Sequence, residues 1–270
     1  MSGLSASAEG DGMSQTSQCF TGFRALFAKE CNRFLKVWLQ TIGSPVITAL
    51  LYQFFFSHVM SAHSEPLPGV DYVSFLIPGL IMMSMMQNAI ANSSSSLVQS
   101  KIGGSIVFVL LPPINSATFY SAYTLACIVR GFIVGAGVYA VTSFFALPIP
   151  VHPLWMLAFA FLACAVMGTL GVIAGIYAEK FDQMAGFQNF VVMPLTFLSG
   201  VFYSINSLPE PWRSVSFLNP MFYMIDGFRY GFFGQSDASP YFALGFLAVV
   251  WLLLAALTIR LLNVGWRLRS

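Results

Sequence analysis

Six stretches of the chain, at about 38–60, 72–98, 118–145, 153–177, 187–203 and 241–262, are apolar over about 17 residues or more. Crossing about 30 Å of hydrocarbon takes roughly 20 such residues in a helix, so each is a plausible span and the fifth is marginal. A soluble domain carries about 25% charged residues, against 8% here beside 57% apolar and 16% aromatic ones. The pattern predicts an all-α polytopic membrane protein with six transmembrane helices. A net charge of +2 is too small to suggest nucleic acid, and the placement of the charges says more than their sum.

The fifth run does not leave the membrane in the ordinary way. Asn206, Pro209 and Pro211 are turn formers, yet Trp212, Phe217, Phe222, Tyr223, Phe228 and Phe232 follow and need lipid or protein around them. Non-helical backbone at membrane depth survives only where protein or a wet cavity surrounds it. Residues 204–234 therefore read as a re-entrant helical hairpin dipping back from the outer face, with Pro209 and Pro220 near the helix starts. Ahead of the spans, Phe23, Phe27, Phe34 and Trp38 recur at helical spacing with Arg24, Lys29, Glu30, Arg33 and Lys36 mostly off that stripe. This predicts an amphipathic interface helix over 20–37, lying on a membrane surface or packed on another subunit. Residues 1–19 carry no apolar run and read as a disordered cytoplasmic tail. Cations cluster before the first span, at Lys101, at Lys180 and at Arg260, Arg267 and Arg269, while the loops around His63 and His152 hold none. Both termini are expected in the cytoplasm. Arg213 and Arg229 break the rule, with Glu210, Asp226 and Asp237 as candidate partners.

Several short patterns carry a resemblance: Pro194, Ser199-Gly200-Val201-Phe202-Tyr203, Leu208-Pro209, Leu218-Asn219-Pro220 and Gly227-Phe228-Arg229-Tyr230-Gly231 near the C-terminus. Ala28-Lys29-Glu30, Arg33-Phe34, Gln40-Thr41, Pro45-Val46-Ile47-Thr48 and Pro78-Gly79-Leu80 add to it. From about Phe20 onward the chain resembles ABC-2 type transport permeases, on a branch found in bacterial inner membranes. That resemblance implies a non-catalytic membrane subunit, paired as a homodimer and driven by two copies of a separate ATPase that holds ATP and Mg. It also implies a coupling helix in the loop after span two, where the family's adjacent acidic residues are replaced by Val107 and Phe108 after Ile106. The expected ATPase-coupling residues are Lys29, Glu30, Arg33, Lys101, Ile106 and Phe108. The expected translocation path or gate is Arg130, Phe202, Tyr203, Pro209, Phe222 and Tyr223.

The residues themselves exclude other chemistry. None of the four lysines follows a glycine, so there is no P-loop to hold nucleotide phosphates and no cofactor is expected in this chain. No metal motif, nucleophile elbow or paired-cysteine spacing occurs. Arg130 is the one cation placed about mid-span, where the cost runs from about 2.5 to more than 10 kcal/mol. Two readings stand: a pathway-lining cation that meets an anionic substrate or headgroup, or an Arg bonded to carbonyls or snorkelling to the interface. No carboxylate lies at a span centre, which weighs against an ion-coupled carrier. An ATP-independent channel or scaffold remains the other alternative. The glycine pairs at 131 and 135, 171 and 175, and 227 and 231 permit close helix approach, within the chain or toward a partner. Outer-half aromatics suit an interfacial belt or the face of a sugar. The expected cargo is lipidic, glycan-linked or amphipathic, with export favoured by the short outer loops.

Overall fold

The computed structural model describes residues 6–60, 67–105 and 115–265, and Ile106 and Phe108 lie outside them. The regular structure is helical, with no strand among the described residues beyond an isolated Leu67–Val70 bridge. Helix α1 spans Ala6–Leu35, a π-helical turn at Leu39–Gly43 leads into α2 at Ser44–Met60, and α3 spans Tyr72–Ile102. Next come α4 at Ser116–Thr142 and α5 at Pro153–Tyr177. Helices α6 (Phe181–Phe187) and α7 (Met193–Phe197) are joined by a π-helical turn at Gln188–Val192. Short α8 (Trp212–Phe217), α9 (Pro220–Phe233) and α10 (Pro240–Val264) complete the order. Five helices, at 39–59, 72–102, 116–142, 153–177 and 240–264, are long and apolar enough to cross a membrane among the described residues.

The fifth expected span, at 187–203, is displaced. Its helical stretch starts earlier, at Phe181, and stops at Phe197 after segments of 7, 5 and 5 residues. At about 1.5 Å per residue it falls short of the hydrocarbon thickness. Ser199 to Tyr203 instead turn, with Gly200 at φ 76°. The first turns of α1 also differ from expectation, because the backbone is helical from Ala6 rather than disordered to residue 19. Once the packed turns beyond Phe20 supply a nucleus, each further helical residue adds one hydrogen bond.

Helix α3 is the central post, buried along most of its length, while α2 and α10 bury little and stay peripheral. Asp71 caps it by accepting from the Ser74 amide. Some of its hydroxyls bond within the helix, Ser84 and Ser94 donating to the carbonyls of Leu80 and Ile90 one turn back, while Ser93 donates across to the Gly168 carbonyl of α5. It packs most heavily on α5 and then α4. At Gly171 a Cβ would lie 2.5 Å from the Ile90 carbonyl oxygen, so only glycine permits that approach of α5 to α3. Gly131 and Gly135 meet Cys164 and Met85, Gly175 meets Leu97, and Gly227 and Gly231 meet Phe159 and Met156. All three glycine pairs therefore serve packing within the chain.

The predicted re-entrant segment consists of two short helices. Pro220 opens α9, capped by Asn219, whereas α8 begins after Pro211 rather than beside Pro209. Gly231 lies on Met156 and Gly227 on Phe159, so α9 runs antiparallel to α5 and climbs toward the end where α5 starts. At the opposite end, α1 covers the bundle. Leu26 with Phe23 and Phe27 packs on Leu97, Phe119, Val172 and Ile176, so the amphipathic stripe of α1 is seated on this chain's own helices. Trp38, expected on that stripe, is exposed.

Candidate functional site

A chain of polar side chains runs from α1 through α3 to α4. Ser84, Asn88, Asn92 and Ser96 recur every fourth residue of α3, which lines them along one helix face. Glu30 is fully buried against this face, its Oε1 accepting from Ser96 Oγ at 2.7 Å and its Oε2 from Arg33 Nε at 3.3 Å. Lys29 Nζ approaches Glu30 at 3.7 Å from a largely exposed position. Arg33 reaches further, donating to Ser95 Oγ at 3.1 Å, to the Asn92 carbonyl at 2.6 Å and to Asn92 Oδ1 at 2.9 Å. Arg130 comes to the same amide from α4, donating to Asn92 Oδ1 at 3.3 Å and to Asn88 Oδ1 at 3.0 Å. Two guanidinium groups thus share one amide oxygen. The two ion pairs among the described residues both belong to Glu30.

Beside Arg130 lies a cavity of about 360 Å³, walled by the start of the first span, the middle of α3 and the π-helical turn after α6. Gln40, Ser44, Thr48, Gln87 and Gln188 line it together with Arg130. Polar side chains at this depth are costly against lipid, so the cavity face belongs with water or protein rather than acyl chains.

The end of the bundle opposite α1 is built differently. Arg229 is buried in α9, donates to the Gly200 and Val201 carbonyls at 2.9 and 3.4 Å, and lies 3.8 Å over the Phe75 ring. Asp226 accepts from the backbone amides of Asp237 and Ala238, and Asp237 accepts from Ser204 Oγ, Ile205 N and Asn206 Nδ2. None of the expected pairs of Arg213 or Arg229 with Glu210, Asp226 or Asp237 forms. Arg213 donates to Asn206 Oδ1 and Glu210 accepts from Ser214. The helix end at Phe197 and the turn after it leave carbonyls needing donors, and Arg229 supplies them.

The expected site residues divide accordingly. Glu30 and Arg33 face inward and tie α1 to α3, leaving Lys29 outermost of the three. Lys101 donates to the Ile176 and Ala178 carbonyls and closes the C-terminal end of α5. Phe202 stacks on Phe56 at 4.4 Å and meets Tyr52 at 5.4 Å, while its carbonyl accepts from Tyr72 OH at 2.8 Å. Tyr203 OH donates to the Phe197 carbonyl. Phe222 and Tyr223 form another aromatic group, with Phe217, Phe242 and Phe246. Pro209 accepts from the Arg213 amide in the loop before α8. Sequence reasoning missed Asn88 and Asn92, although their four-residue spacing with Ser84 and Ser96 in an apolar helix was the available signal.

A family model for the ABC-2 type transporter matches residues 21–233, which takes in the second half of α1, the central post and the two short helices α8 and α9. The chain belongs to the ABC-2 type transporter family. Inner membrane transport permease YadH of Escherichia coli K12 is 37% identical over 252 residues, covering 93% of this chain and 98% of that protein. Capsule polysaccharide export inner-membrane protein CtrC of Neisseria meningitidis is 27% identical over 216 residues, 75% of this chain and 72% of its own. BexB of Haemophilus influenzae, likewise named a capsule polysaccharide export inner-membrane protein, is 33% identical over 98 residues, 35% of this chain and 36% of its own. For an ABC-2 type chain, the buried latch at Glu30 and the cavity beside Arg130 are the features to explain.

Proposed function

We propose that this chain is the membrane-embedded, non-catalytic permease subunit of an ATP-driven exporter in a bacterial inner membrane. It works as a homodimer with two copies of a separate ATPase, which hold the ATP and Mg, and both of its termini are cytoplasmic. The observation that carries this reading is the continuous path from α1 through Glu30, Arg33 and Asn92 to Arg130 at the wall of a polar cavity. With no P-loop in the sequence, the work must enter from outside, and α1 is the element seated across the ends of α3, α4 and α5. Lys29 and the loop around Ile106 and Phe108 would meet the ATPase; Glu30 and Arg33 would transmit the displacement rather than make the contact.

The polar cavity wall favours a route between two copies, since those side chains need wet or protein surroundings and a two-fold pair supplies them. Phe202, Tyr203, Pro209, Phe222 and Tyr223 would form the outer gate. The names of CtrC and BexB support export and a lipidic, glycan-linked or amphipathic cargo. The test is co-purification of the full chain with a separately encoded Walker-type ATPase, followed by nucleotide hydrolysis assays. The expected result is a stable complex that hydrolyses ATP while the isolated chain does not. An isolated chain that hydrolyses ATP, or transport that persists without ATP and collapses with an ion gradient, contradicts the reading.

A further inference from the structure

The charges around the cavity do not balance. Arg33 and Arg130, both half-buried, are cations held on Asn92 Oδ1, and buried Glu30 is the single carboxylate in contact with either. Lys29 adds a further positive charge on the solvent side. Arg130 itself meets only neutral amides, at Asn88 and Asn92, and its Nε has no partner among the described residues. A guanidinium presents five N–H donors in a planar fork suited to the oxygens of a carboxylate or phosphate. Here two of those donors are bonded to Asn88 and Asn92 in a way that fixes the plane of the fork beside the open volume. The remaining lining, Gln40, Ser44, Thr48, Gln87 and Gln188, brings uncharged donors and acceptors and no carboxylate. A half-buried positive charge next to a roomy polar cavity is further stabilised when an anion occupies the cavity, because the pair is then neutral and hydrogen-bonded.

We propose that the cavity beside Arg130 is an oxyanion site that takes the phosphate group of an amphipathic molecule, with Arg130 as the charge partner and the surrounding amides and hydroxyls as neutral donors. Ile47 and Leu51, exposed three residues beyond the lining residues Ser44 and Thr48 on the same helix, offer an apolar tail a place to lie beside the polar cavity. This rests on the permease reading for its meaning in transport, but the binding itself does not depend on the ATPase.

The test uses the purified full-length chain in a zwitterionic detergent, without ATPase or nucleotide, and titrates short-chain phosphatidic acid, phosphatidylcholine with the same chains, and inorganic phosphate, read by native mass spectrometry. Phosphatidic acid is expected to bind about tenfold or more tighter than phosphatidylcholine, the worth of one charge-assisted hydrogen-bonded contact. Arg130→Gln should remove that preference and Arg130→Lys should keep part of it. Competition by inorganic phosphate at comparable concentration identifies a free anion as the occupant; phosphatidic acid binding untouched by it identifies the headgroup. Should Arg130→Gln fail to give a monodisperse protein, Thr48→Trp fills the cavity while leaving the Asn88 and Asn92 bonds in place, and should abolish the preference. Equal binding of the two lipids, or a preference that survives Arg130→Gln or Thr48→Trp, overturns the proposal. Failure here leaves the ATPase-driven reading standing, and failure to capture an ATPase leaves this binding result untouched.

Discussion

The two ends of the molecule both bury charge, and they bond it in opposite ways. At the end covered by α1, Glu30, Arg33, Asn92 and Arg130 join side chain to side chain across three helices. At the opposite end, Arg229 and Asp226 join side chain to backbone, closing the Gly200–Val201 turn and the loop at Asp237–Ala238. Side-chain bonds between helices can be remade as the helices shift, whereas a guanidinium on two carbonyls pins the path of the chain itself. The difference casts the first cluster as a relay and the second as a clamp that keeps the re-entrant segment moving as one body.

Removing the clamp should have the largest effect. Arg229→Ala deprives two carbonyls of their buried donor and Phe75 of its cation, and is expected to cost about 3–5 kcal/mol, read as loss of thermal stability in detergent. Arg229→Lys should recover only part of it, since an ammonium cannot reproduce the fork. Breaking the relay comes next: Glu30→Ala leaves half-buried Arg33 without its carboxylate and Ser96 without its acceptor, at about 1–3 kcal/mol. Adding Arg33→Gln should restore about 1 kcal/mol or more in a double-mutant cycle, and strictly additive losses would show the two residues to be independent. Smallest is Asp226→Asn, expected to cost about 1–2 kcal/mol, because the amide offers one acceptor oxygen where the carboxylate serves two backbone amides. A loss as large as that of Arg229→Ala would mean the loop at Asp237–Ala238 depends on the charge rather than on the bonds.

Much of the layout is legible in the sequence, because hydrophobic runs of membrane length report spans directly and breakers such as Pro209, Pro211 and Pro220 report the hairpin. The amphipathic helix is equally plain from Phe23, Phe27 and Phe34, but its partner is not: a stripe of that kind fits lipid as well as protein, and only the fold seats it on Leu97, Phe119 and Val172. The bonds of the charged residues were the least legible. Pairing Arg229 with a carboxylate follows from charge alone, yet the turn after Phe197 presents unbonded carbonyls closer at hand. For the same reason Arg130 finds Asn88 and Asn92, two amides that carry no charge to mark them. The ends of the short helices escaped too, since π-helical turns at Leu39–Gly43 and Gln188–Val192 leave no compositional trace.

Hydrogen exchange read by mass spectrometry on the reconstituted permease–ATPase complex, with and without trapped ATP, tests the division between relay and clamp most directly. ATP should change exchange in residues 20–35 and in the cavity walls at 37–48 and 83–91, while the amides of Ile205, Asp237 and Ala238 stay protected in both states. In Glu30→Ala the change in residues 20–35 should persist and the change at the cavity should vanish. Cavity walls indifferent to ATP, or equally responsive with Glu30 removed, would contradict a relay through this helix.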